Sequence, residues 1–169
     1  MYDTNLDKNE ANYTPLSPLS FLQRTAEVYP NHKSIIHGHR TYTWSETYKR
    51  SCQLASALSS SGIGEKDTVS VLAFNTPEIY EAHFAIPMLG AVINTINIRL
   101  DIETISYILE HAETKALITD TELSPTMKAV IKKINKEILI INICDDQALQ
   151  PDGAGEMIGE IEYEKFLHS

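Results

Sequence analysis

Residues able to do chemistry are spread thinly along this sequence, and most sit in contexts that disarm them. Arg99 stands out, in Asn94-Thr95-Ile96-Asn97-Ile98-Arg99-Leu100-Asp101, directly after an apolar run that reads as a strand. Ligands of open α/β sheets bind outside the carboxyl ends of strands, so an arginine there is on the productive edge. Its guanidinium presents a planar fork of donors suited to phosphate or carboxylate. An ion pair with Asp101 or Glu103 would consume the same charge, and the residues alone favour that pairing.

The other candidates are weaker. His37 and His39 flank Gly38, but two imidazoles without nearby cysteine or carboxylate ligands are an incomplete zinc set. They read as solvated histidines at a hairpin tip. His83, beside Phe84 in a helical segment, reads as partly buried with its nitrogens satisfied. Cys52 lies on an apolar helix face with no base to activate it. Lys128, Lys132, Lys133 and Lys136 recur along one helix and read as a solvated face. Gly153, Gly155 and Gly159 have the wrong spacing for a phosphate loop, and Glu156 and Glu160 would repel an anion there. No metal ligand set and no catalytic residue is assigned.

The first strand–helix turn reads Phe74-Asn75-Thr76-Pro77. It holds no glycine, which removes the G-x-G-x-x-G dinucleotide fingerprint. A Walker A loop and a G-x-S-x-G elbow do not occur anywhere in the sequence. Ser17-Pro18 reads as an N-cap and first helical position, with Leu22, Ala26 and Tyr29 at helical spacing. Residues 34–42 give two short β-prone runs around a glycine-led turn, a hairpin. Thr43-Trp44-Ser45-Glu46 is a capping box opening a helix whose end is marked by Gly62.

From residue 68 the pattern becomes regular. Apolar runs at 68–73, 92–96, 116–119 and 137–143 alternate with helical segments opened by Thr76-Pro77, Asp101 and Ser124-Pro125. Four strands and three helices in alternation require crossover connections and build a parallel sheet. Continuous apolar strands such as Ile138 to Ile143 suit a sheet covered on both faces. The expected fold class is therefore α/β, a parallel sheet with alternating helices, preceded by a helix and a small hairpin. The expected organisation is an arm at 1–16, an α/β unit at 17–143 with βα repeats over 68–143, and a loop-rich segment at 144–169.

Composition excludes several function classes. The 169 residues carry 14 basic and 23 acidic side chains, a net charge of −9, which would repel a nucleic-acid backbone. No apolar run approaches the roughly 20 residues that span a bilayer. Met1 to Asn5 shows neither the basic start nor the apolar stretch of a secretory signal. Two distant cysteines, Cys52 and Cys144, form no CxxC pair; one disulfide is open to them, yet two buried reduced thiols fit better. The expectation is a cytoplasmic protein.

Three segments, taken in order, carry a resemblance: Thr41-Tyr42-Thr43-Trp44-Ser45-Glu46, Val69 to Glu78 (VSVLAFNTPE), and Leu89 to Leu100 (LGAVINTINIRL). Together they resemble the start of AMP-forming acyl-CoA synthetases, relatives of luciferase and of peptide-synthetase adenylation domains. The Asn94 to Leu100 stretch and Leu16 to Leu22 are most similar to the branch of short- and medium-chain fatty-acid ligases, which includes methylmercaptopropionate ligases.

The resemblance implies an activity joining a carboxylic acid to CoA through an acyl-adenylate, with ATP, CoA and Mg²⁺ as cofactors of the intact enzyme. It implies that the family's phosphate loop, hinge and catalytic lysine lie outside this sequence, so the 169 residues alone are expected to be inactive and to bind none of these cofactors tightly. It implies that Arg99 contacts CoA, and that a homodimer forms. A free-standing, non-catalytic α/β binding module is the alternative. Which acid is activated is not legible.

Overall fold

Apolar runs of four or five residues, separated by capped helices, pair here into one parallel sheet. The computed structural model describes residues 7–14, 16–134, 136–147 and 155–168. Helix α1 (Pro18–Val28) begins where Ser17 accepts a bond from the Leu19 amide, with proline in the first turn. The hairpin β1 (Lys33–His37) and β2 (Arg40–Thr43) is antiparallel and separate from the main sheet. Helix α2 (Trp44–Ser60) starts on the reciprocal capping box of Thr43 and Glu46. It ends before Gly62, whose φ of 84° glycine adopts without a Cβ penalty.

The main sheet follows: β3 (Thr68–Leu72), α3 (Pro77–Met88), β4 (Val92–Thr95), α4 (Ile102–His111), β5 (Ala116–Asp120), a short 3₁₀ turn, α5 (Ser124–Lys133) and β6 (Leu139–Ile143). The strand order is β4-β3-β5-β6-β7, parallel throughout. Central β5 is buried at all five positions. Helices α2 and α3 cover one face through Leu54, Leu58, Ala82 and Ile86. Helices α4 and α5 cover the other through Ile105, Leu109, Met127 and Val130. Crossovers to both faces follow from the change of direction after β4, since each βαβ unit keeps its right hand.

Within the expected loop-rich segment, one further short element is expected over residues 161–167, and it joins the sheet as a fifth strand. β7 (Ile161–Glu162) pairs with β6, and α6 (Tyr163–Phe166) folds back beneath it. Asn142, fully buried, organises this return: its amide donates to the carbonyls of Gly159 and Ile161, and its oxygen accepts from the Ile158 amide. Gly155 and Gly159 are therefore packing positions as well as linker residues; Gly153 and Pro151 lie outside the described residues, as do residues 1–6 of the expected arm. Gly155 has φ +67°, and a Cβ there would stand 2.0 Å from the Thr121 carbonyl oxygen. Gly155→Ala is expected to lower stability by about 1–3 kcal/mol. Gly62→Ala, left-handed but in open space, should cost about 1 kcal/mol. Urea midpoints of the two variants separate clash from strain, and equal losses would remove the packing role of Gly155.

Candidate functional site

The loops after β3 and β5 leave for opposite faces of the sheet, because α3 and α5 pack on different sides. Such a divergence opens a crevice at the carboxyl ends, where open α/β sheets bind ligands. Here it has a volume of about 290 Å³ and is lined by Phe74, Asn75 and Thr76 after β3, Glu122 after β5, and Asp145 and Gln147 after β6, with His37 from the hairpin.

Carboxylates dominate this crevice and its floor. Arg40 bridges Glu78 at 2.6 Å and Asp145 at 2.9 Å, and the Nε2 atom of His37 lies 2.8 Å from the second Asp145 oxygen. Asp120 ends β5, almost fully buried, and its Oδ1 accepts from the Glu122 amide. Burial pushes the Asp120 carboxyl up to about 6, and the charges of Glu122, Asp145 and Glu78 push the same way against that amide bond. Among the described residues, Oδ2 of Asp120, Oε2 of Glu78, Oε2 of Glu122 and the hydroxyls of Thr76 and Thr119 have no hydrogen-bond partner although buried. The carboxylates of Glu78, Asp120, Glu122 and Asp145 outnumber the one guanidinium of Arg40 and would repel a triphosphate, so these residues do not fit ATP. Among the described residues, no group of three His, Cys, Asp or Glu side chains is arranged to hold a metal ion.

A second charged cluster lies between α2, α3 and α6. Arg50 donates to both oxygens of fully buried Glu81 and to both oxygens of Glu164. Tyr163, also buried, donates its hydroxyl to Glu81, and Arg50 stacks over the Tyr42 ring at 4.8 Å. Burial pushes the Glu81 carboxyl up, opposed by the Arg50 fork and the Tyr163 hydroxyl. The bond from Arg50 holds the half-exposed Glu164 below the usual carboxylate range. Each charged group of this cluster is paired with another, and the cluster reads as structure.

The predicted residues land as follows. Arg99 is exposed on the turn after edge strand β4. The expected pairing is overturned: Asp101 accepts from the Thr104 amide and caps α4, and Glu103 pairs with Lys133. Among the described residues, the Arg99 guanidinium has no carboxylate partner. His37 is not solvated, because the hairpin folds onto β6's end and delivers it to Asp145. His39 is exposed and faces Asp146. His83 is exposed rather than partly buried; its Nδ1 lies 2.7 Å from the Ile79 carbonyl. Both cysteines are free; Cys52 is half-buried, and Cys144 is exposed where a buried thiol was expected. Lys128 and Lys133 are exposed but paired, with Glu156 and Glu103. Sequence reading missed Arg40, Glu78, Asp120 and Asp145. An aspartate closing an otherwise apolar buried strand was the available signal, since such a residue falls at the carboxyl edge.

With this geometry in hand, comparison with known proteins identifies the lineage. The pattern of the AMP-binding enzyme family matches residues 22–161. The chain belongs to the AMP-binding enzyme family. An acetate–CoA ligase of Humulus lupulus is 44% identical over 174 residues, covering 96% of this chain and 30% of that protein. A peroxisomal butyrate–CoA ligase of Arabidopsis thaliana is 47% identical over 148 residues, covering 83% of this chain and 26% of its own length. The chain thus spans less than a third of these relatives. An anthranilate CoA ligase solved with anthranoyl-AMP shares the fold at TM-score 0.76 and 22% identity, over 89% of this chain and 27% of that one. A Klebsiella oxytoca N-terminal subdomain does so at TM-score 0.64 and 15% identity, over 93% and 33%. The AMP-binding family resemblance read from Thr41 to Leu100 is therefore correct, as is the α/β fold class.

Proposed function

We propose that this AMP-binding family chain is the N-terminal frame of an ATP-dependent acid–CoA ligase, which converts carboxylate, ATP and CoA to acyl-CoA, AMP and pyrophosphate. Identity of 44% to an acetate–CoA ligase over 96% of the chain carries this reading. In the proposed reaction ATP and Mg²⁺ are held by other parts of the enzyme, because the crevice carboxylates described above do not fit them, and the 169 residues alone are inactive. The acid is proposed to be a short- or medium-chain one, a place in fatty-acid metabolism. A homodimer and a cytoplasmic location complete the proposal; the latter is supported by the two free thiols.

Arg99 is proposed as a CoA contact. An exposed guanidinium with no carboxylate partner among the described residues, on the carboxyl side of a sheet, suits a phosphate group. In an enzyme extending beyond this chain, Arg99→Ala should raise the KM for CoA by about 5–150-fold, the equivalent of 1–3 kcal/mol. Acid-dependent exchange of pyrophosphate into ATP, which needs no CoA, should keep its rate. An unchanged KM for CoA would remove Arg99 from the site.

A further inference from the structure

Hairpin β1–β2 stands outside the main sheet, and it is held by different forces from the rest of the fold. No residue from Lys33 to Thr43 is buried, and among the described residues both apolar cores are built without its side chains. Between β1 and α3 lies a hollow of about 480 Å³, lined by Ile35 and Ile36 on one side and by Pro77, Ile79 and Tyr80 on the other. His37 borders both this hollow and the crevice at the carboxyl edge of the sheet. The polar attachments of the hairpin fall at its two ends. At the base, the Trp44 and Ser45 amides donate to the carbonyls of His32 and Pro30, and the Tyr42 ring lies against Arg50. The ladder register shifts there between Lys33 and Ile35, and an extra residue of that kind bends a strand. At the tip the contacts are charged: Arg40 bridges Glu78 and Asp145, His37 meets Asp145, and His39 faces Asp146.

We propose that the hairpin is a flap. It swings on its irregular base, is latched at its tip where Asp145 holds Arg40 and His37, and on release joins the hollow over α3 to the crevice at the carboxyl edge of the sheet. Segments with few buried apolar contacts open at a lower free energy than the core. Opening this one uncovers no core side chain, so β3, β5 and β6 stay folded while it is open. It also returns the carboxylates of Glu78 and Asp145, both nearly buried when latched, to water, and regained hydration offsets much of the lost pairing. The latch ties the hairpin to two separate elements, α3 through Glu78 and the end of β6 through Asp145. Nothing in this proposal rests on the ligase reading, which concerns Arg99 at the β4 end.

The test is native-state hydrogen exchange of the ¹⁵N-labelled 169-residue chain, read residue by residue at rising urea below the unfolding transition. The ladder amides of residues 33–43 should exchange about tenfold or more faster than those of β5, with little urea dependence, because a local opening exposes little surface. Gly155→Ala weakens a contact that the open form keeps, so it should speed β5 and leave the hairpin rate unchanged. Asp145→Asn weakens contacts that the open form has lost, so it should speed the hairpin by about tenfold, the loss expected for hydrogen bonds to a charged group. Arg40→Lys keeps the charge but cannot fork between Glu78 and Asp145. It should speed the hairpin severalfold and serves as the second arm if Asp145→Asn loses its folded spectrum. Equal rates and urea slopes for the hairpin and β5, a Gly155→Ala effect on both, or a hairpin rate indifferent to the latch substitutions would each overturn the flap.

Discussion

Replacing Arg50 by methionine should lower the unfolding midpoint by roughly 6–20 °C, the largest effect expected from any single side chain here. Glu81 is fully buried and Arg50 is its charge partner. Removing one member of a buried pair leaves an uncompensated charge, at a cost of about 3–5 kcal/mol. For a protein of this length each kcal/mol moves the midpoint by roughly 2–4 °C. The loss has a pH signature. Without Arg50, burial is opposed by the Tyr163 hydroxyl but by no charge, and the Glu81 carboxyl rises further, so the variant recovers as pH falls and the carboxyl takes up a proton. Arg50→Met with Glu81→Gln should regain at least half of the loss at pH 7, because the charge is gone and the Tyr163 hydroxyl keeps an acceptor. Thermal unfolding of the three variants between pH 5 and 8 checks this. A pH-independent loss of under about 1 kcal/mol would mean that Glu81 is not held as a buried anion.

Asp120→Asn should act in the other direction. The folded carboxyl titrates near 6, against roughly 3.9 in an unfolded chain. The native state therefore binds this proton more tightly than the unfolded state does. Its contribution is fully present below pH 4 and is lost as pH rises through 6. Above that, an ionised Asp120 is destabilising by up to about 3 kcal/mol, from 1.36 kcal/mol per unit. Asparagine carries no charge and can still accept from the Glu122 amide with its side-chain oxygen. At pH 8 the variant should gain about 1–3 kcal/mol and melt roughly 2–12 °C higher, with the gain vanishing below pH 4. A difference that stays flat across pH would show that the Asp120 anion is not the source.

Local signals in the sequence were read correctly where they are decided locally. The capping box at Thr43 and Glu46, the proline at the start of α1 and the left-handed glycine at 62 need only their neighbours. The apolar runs of β3, β5 and β6 announce a covered parallel sheet, and Ile102, Ile105 and Leu109 announce α4. The crevice was not legible, because its members come from five places: the hairpin, the ends of β3, β5 and β6, and the start of α3. Arg40 and Asp145 are 105 residues apart, and no spacing rule connects them. That the short element expected over residues 161–167 joins the sheet as β7 was not legible for a related reason. Two residues, Ile161 and Glu162, carry no alternation of their own; buried Asn142 recruits them from the neighbouring strand. His37 reads as solvated from its turn alone, and only the docking of the hairpin onto β6 reverses that.

The position of Tyr163 relative to Glu81 has a consequence for synthesis. The two bond across 82 residues, and ribosomes add roughly 5–20 residues per second. For about 4–16 s after Glu81 is made, Arg50 and Glu81 can meet, but the tyrosine that closes their contact does not yet exist. A nascent chain thus carries a charged pair with one side open to water, on the face that α6 later covers, until residue 163 joins it.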